Sequence, residues 1–104
     1  MRMILVSIAF VFLFFSAANA LSKSVVGTVD YYSVGNRGNW EAIDLVVGNK
    51  KYMVYLLGVN IPSPKIVGKV REVGRKVRVS YSRIVSEQGY DGRLVSNRVI
   101  EVKR

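Results

Sequence analysis

"EAIDLVVGNKKYMVY", residues 41–55, decides the fold. In its first half Ile43, Leu45 and Val47 alternate with Asp44 on the opposite face, the period-two pattern of a half-buried strand. Gly48-Asn49 supplies two residues that tolerate positive φ, and from Tyr52 to Leu57 apolar side chains occupy both faces. Strand, tight turn and strand make a hairpin. Its second strand, apolar on two sides, belongs in the middle of a sheet with its outer face covered.

The segments on either side extend this pattern. Upstream, Val25 to Val34 is rich in Val and Tyr, which suit a pleated surface. It reaches the hairpin strand Trp40 to Val47 through Gly35-Asn36-Arg37-Gly38-Asn39, a dense turn cluster. Downstream, Lys76 to Ile84 alternates, with Val77, Val79 and Tyr81 inward and Arg78, Ser80 and Ser82 outward. A loop from Val85 to Gly92 leads to a last strand, Leu94 to Val102, in which Ser96-Asn97 marks a bulge or a wet face. Between the two halves, Ser63-Pro64 reads as a helix start, and Ile66, Val70 and Val73 fall on one helical stripe that Gly74 ends. Gly68 and the valines weaken that reading, and an extended segment is the alternative.

Three strands in a meander, a short helix and two more strands is the order of a five-stranded, partly open OB barrel, a mainly β fold. Closing the sheet hides its edges, which matters in a chain without cysteine. Residues 1–20 read as a secretory leader: Arg2, an apolar run from Ile4 to Phe15, and Ala18-Asn19-Ala20 before the expected cleavage. The apolar run from Met3 to Ala18 is short for the roughly 20 residues that span a bilayer, although a retained anchor is the alternative. Cleavage leaves one domain, residues 21–104, exported to the periplasm or outside the cell. Of the 16 Lys and Arg only Arg2 lies in the leader, so 15 face 7 Asp and Glu, a net charge of +8. Such a surface favours nucleic acid, acidic polysaccharide or an envelope surface.

No His and no Cys are present. That excludes His-based triads, thiol chemistry and structural zinc, and leaves carboxylate chemistry and oxygen-ligand metal sites. The basic run Lys65, Lys69, Arg71, Arg75, Lys76 and Arg78 is scattered by the helix-and-strand reading and reads as a solvated outer face. The loops are better placed. Arg37 and Trp40 flank the first and Tyr90 and Arg93 the last, and these loops converge at one end of an OB barrel. Aromatics there stack on bases and arginines neutralise backbone charge. Of Tyr31 and Tyr32, one is expected in the core.

With these pieces in order ("GTV" at 27–29, the hairpin, "LLGVNIP" at 56–62, "RKVRVSY" at 75–81 and "YDGRLV" at 90–95), the chain resembles the thermonuclease, or staphylococcal-nuclease-like, family. The resemblance implies an OB barrel whose family holds calcium with two acidic residues. Those positions match Glu41 and Asn60, a carboxylate and a neutral amide. The family's water-activating carboxylate matches Ser63, and its two phosphate-binding arginines match Tyr55 and Arg93. One carboxylate and one amide make a weak calcium site, and no base remains, so the resemblance implies a scaffold that has lost its catalyst. Asp44 points outward; Asp30 and Asp91 are the other carboxylates near this end. The expectation is a monomeric, non-catalytic domain with no cofactor, calcium entering only if nuclease chemistry survives. It binds an anionic polymer through Arg93, Arg37, Trp40 and Tyr90, with Tyr55 and Asn60 alongside. A structural module that binds an envelope protein is the second expectation.

Overall fold

A computed structural model describes residues 23–103, and the expected leader lies outside them. The described chain is mainly strand: β1 Lys23–Val34, β2 Trp40–Val47, β3 Lys50–Gly58, β4 Lys65–Val67, β5 Lys76–Val85 and β6 Gly92–Glu101. A single 3-10 turn, Asn36–Gly38, is the only helical element among them. The sheet runs β3-β2-β1-β5-β6-β4, and an additional pairing of β3 with β6 closes five of the strands into a barrel. β4 lies outside this ring as an extra strand on the free edge of β6.

The hairpin forms as its sequence dictates. Gly48 takes φ +63 at the turn, and Val47 pairs with Lys50 while Leu45 pairs with Tyr52. Alternation then sends Ile43 and Leu45 of β2, and Val54 and Leu56 of β3, into the barrel, where all four are buried. Val29, Val77, Val79, Leu94 and Val99 complete the strand contribution to one core. Tyr32 packs against it, whereas Tyr31 is exposed, so one tyrosine of that pair faces in. Ser96-Asn97 does mark a bulge. Tyr81 pairs with Ser96 and Ser80 with Arg98, leaving Asn97 as the extra residue. Ser96 is buried, and its hydroxyl donates to the Tyr55 carbonyl at 3.2 Å, so the inward polar group is satisfied.

Barrel closure rests on a short parallel seam: Tyr52 with Gly92, Met53 with Arg93 and Val54 with Leu94. Asp91 reinforces it from the loop. Its N–H donates to the Lys51 carbonyl and its carboxylate accepts from the Lys51 N–H, both at 2.8 Å. Asp91 is therefore part of the seam, and Asp30 pairs with the Lys51 ammonium at 3.4 Å.

The expected helix after Ser63-Pro64 does not form. Lys65 to Val67 is extended and pairs in parallel with Arg98 to Ile100, and the chain then descends through turns to Gly74. Two causes operate. The β-branched Ile66 and Val67 gain a ladder partner on an open edge. Gly68 sits at φ +86, outside the helical region, with space for a Cβ only 2.7 Å from the Glu101 side chain. The apolar stripe divides accordingly: Ile66 packs on the core, Val70 plugs the barrel end with no exposure, and Val73 is 60% exposed. Gly74 and Arg75 fasten this loop to both backbone groups of Val29.

Gly68 and Gly89 share φ +86, but nothing lies within 4 Å of a Cβ at Gly89. Gly89→Ala should lower stability by about 1 kcal/mol through backbone strain alone. Gly68→Ala should cost at least ~2 kcal/mol, because Glu101 must also move. Urea unfolding of both variants checks the order.

Candidate functional site

The β3–β6 seam gathers most of the residues expected at the loop end. Arg93 stands beside Met53 in the parallel register, and its guanidinium lies over the Tyr55 ring, 5.4 Å from the centroid. Trp40, at the head of β2, meets Tyr55 edge to face with centroids 6.3 Å apart. Its indole also packs on Gly35, where a Cβ would come within 2.1 Å of Nε1. Trp40 is half-buried and outside the core cluster, so it braces the barrel mouth and does not fill it. Arg93, Tyr55 and Trp40 thus form a continuous cation-aromatic row, a geometry that contributes about 0.5–1 kcal/mol at each exposed contact.

Tyr90 joins the same outer face from the last loop. Its hydroxyl donates to Asp44 at 2.8 Å, and burial, followed by that bond, pushes the phenol up to about 12. Arg93 is not a free cation, because its Nε donates to Glu87 at 3.1 Å. Arg37 sits in the 3-10 turn at φ +60, exposed, and forms no ion pair among the described residues. The four expected residues are therefore divided. Trp40 and Arg93 share one row through Tyr55, Tyr90 flanks it on Asp44, and no contact ties Arg37 to it.

Asn39, Trp40, Tyr55, Gly58, Val59 and Ile61 line a groove of about 150 Å³ next to this row. That is well below the roughly 300 Å³ at which pockets enclose a drug-sized ligand, so the site offers a surface and not a cavity. Asn60, at φ +62, forms the turn at the rim of the groove.

Glu41 is committed elsewhere. Its carboxylate accepts from Arg71 Nε at 2.7 Å and Nη2 at 3.2 Å, and also from the Tyr32 hydroxyl. The Arg71 hydrogen bond, with help from Tyr32, holds the Glu41 carboxyl below the usual carboxylate range, and the Tyr32–Glu41 hydrogen bond in turn raises the Tyr32 phenol. A carboxylate neutralised by a bidentate guanidinium is a poor ligand for a hard cation. Asn60 carries no charge and Ser63 is exposed, so the donor set matched to the family's calcium does not suit that ion. Among the described residues no three Asp or Glu side chains cluster to hold a metal.

Two partners escaped the sequence reading. Arg71, assigned to the outside of a helix, turns toward Glu41, and Glu87 neutralises Arg93. A six-residue separation could have suggested the second, whereas the first spans 30 residues and depends on how the loop is fastened. Nor is the basic run simply scattered: Lys65 on β4 and Lys76 and Arg78 on β5 lie on strands that flank β6. No family model matches this chain, and no curated protein or solved structure matches it either.

Two outcomes follow from these titrations. A depressed carboxyl contributes stability above its unfolded pKa and loses it as pH falls through the folded value. Acid unfolding of the wild type should therefore show an extra loss, from Glu41, as pH drops below the usual carboxylate range. Arg71→Met should remove that loss and lower neutral-pH stability by about 1 kcal/mol, a modest figure because Arg71 is partly exposed. For a phenol raised on folding, the stabilisation is complete below pH 10 and disappears as pH rises through about 12. The absorbance titration of wild type minus Tyr90→Phe should show one step near pH 12.

Proposed function

We propose that this chain is an exported, non-catalytic barrel of OB type that binds an anionic polymer, single-stranded nucleic acid first and acidic polysaccharide second, at the β3–β6 seam. The observation that carries the reading is the Trp40–Tyr55–Arg93 row. It sets two half-buried aromatic rings beside a guanidinium on a surface too shallow for a small ligand. Bases stack on such platforms with about 1–3 kcal/mol each, while arginines contact the backbone. The barrel's strand order, a meander whose third strand pairs in parallel with the last, supports the OB assignment. The positions matched to the nuclease family's two arginines, Tyr55 and Arg93, lie against one another, which supports a retained phosphate-facing surface.

The binding chemistry needs no catalyst. Arg93 is pinned by Glu87 and aligned by Tyr55, so it presents its remaining N–H groups in a fixed direction, while Arg37 supplies a second charge from the neighbouring turn. Phosphodiester cleavage would need an activated water, and Glu41, the carboxylate nearest in sequence to the platform, is neutralised by Arg71.

Trp40 is the only tryptophan, so its fluorescence reports directly on the platform. Single-stranded DNA should quench it, with an affinity that falls steeply as salt rises. Arg37→Ala with Arg93→Ala should weaken binding at least ~10-fold at low salt, each lost contact to a charged group being worth about 1 kcal/mol or more. Glu87→Gln should strengthen it by freeing Arg93. Unchanged affinity in the double variant would remove the site. Calcium-dependent cleavage by the pure protein would overturn the non-catalytic reading, and salt-insensitive retention of an envelope protein would favour the structural one.

A further inference from the structure

A second surface lies on the outer side of β4, β6, β5 and the first half of β1. Every one of the seven carboxylates has a partner: Asp30 with Lys51, Glu41 with Arg71, Asp44 with Tyr90, Glu72 and Glu101 with Arg75, Glu87 with Arg93, and Asp91 with the Lys51 N–H. Lys65, Lys76, Arg78 and Arg98, by contrast, form no ion pair among the described residues, and all four are exposed.

The sheet brings these four together. Lys65 of β4 is the registered partner of Arg98 of β6, and Arg98 is the partner of Ser80 of β5. Arg78 lies two residues from Ser80 on β5, and Lys76 two residues further, all on the outward side of a strand whose Val77 and Val79 are buried. Registered partners share a face, so the outer side of β4, β6, β5 and the first half of β1 is one cationic patch, roughly 15 by 13 Å from standard strand spacings. Aliphatic side chains separate the charges. Val67 and Val26 are 39% and 40% exposed, and they flank the row that runs from Val67 through Ile100 and Arg78 to Val26.

We infer that this face docks on a bilayer surface rich in anionic lipid. The pattern is two-dimensional, with charge and aliphatic side chains interspersed across four strands. A cleft lined by Thr28, Arg75, Lys76, Glu101 and Lys103 borders it at Lys76, but no aromatic row lies among its outward strand residues, and the mixed face suits a planar array of headgroups bordering hydrocarbon. The chain's own layout points the same way. β1 enters the barrel on this face, Lys23 pairing with Tyr81 and Ser24 with Ser80. Lys23 follows the apolar run that ends at Ala18 by an extended reach of at most ~18 Å. The β1 end of this face is therefore the part of the barrel tethered most closely to the expected leader.

The test uses a chain beginning at Leu21, which keeps every described element and the whole closed core but lacks the leader. Its co-sedimentation is measured with vesicles of phosphatidylglycerol and phosphatidylcholine, and with phosphatidylcholine alone. Wild type should bind only the anionic vesicles. Each surface cation is worth about fivefold in partitioning, so Arg78→Glu with Arg98→Glu should weaken binding at least ~25-fold. Lys50→Glu with Lys69→Glu, which removes the same charge from the β2–β3 turn and the loop after β4, should weaken it less than ~5-fold. Equal losses in the two variants would overturn the proposal, since net charge alone would then explain binding. So would failure of wild type to bind anionic vesicles, and so would wild-type vesicle binding by the Arg78/Arg98 variant when its single-stranded DNA binding is lost. Thermal melting of both variants confirms that exposed strand positions changed without unfolding the barrel.

Discussion

Three parallel pairs between β3 and β6 hold this structure closed. Without them the molecule is one open sheet, β3-β2-β1-β5-β6-β4, with two free edges and no enclosed core. With them, Val54 and Leu94 meet inside and Tyr55 and Arg93 meet outside, so the same few residues make the core continuous and create the aromatic row. Two devices protect so short a seam: the two Lys51–Asp91 hydrogen bonds at its start and the Ser96 hydroxyl on the Tyr55 carbonyl beyond it. A barrel of this size without disulfides has little other redundancy, because small domains bury a modest share of their surface.

Electrostatics follows from how few acids the chain has. Its carboxylates are all spent internally: on loop fastening at Glu101 and Asp91, on the inward turn of Arg71 at Glu41, on orienting Arg93 and Tyr90 at Glu87 and Asp44, and on ion pairs with Lys51 and Arg75 at Asp30 and Glu72. The positive excess is left on the surface, and two parts of it differ in texture. At the seam it is sparse and set among aromatics. Across β4, β6, β5 and the first half of β1 it is denser and set among aliphatics. In the readings proposed above, a basic barrel holds an anionic polymer at one surface and rests on an anionic bilayer with the other.

Much was legible beforehand because it depends on local pattern. The period-two alternation of residues 41–47, the Gly48-Asn49 turn and the apolar run into Gly58 are properties of neighbours along the chain, and they specified hairpin, inward set and barrel. The bulge at Asn97 was legible for the same reason. The helix after Ser63-Pro64 failed because a 3.6-residue stripe in a short segment is also satisfied by one inward residue on a strand, one in a plug and one in solvent. An open edge on β6 and the Glu101 side chain beside Gly68 decided between them, and both lie more than 30 residues away.

The sequence by itself determined the strand pattern, the absence of thiol and imidazole chemistry, the positive charge and the residue types at the loop end. Tertiary structure alone decided which charges are free. Glu41 is a ligand candidate on paper and a neutralised carboxylate in the fold. Lys65, Arg78 and Arg98 are strangers in sequence and neighbours in the sheet. The physical reason is that a charge acts over a few ångströms, and only strand register sets which side chains come within that distance.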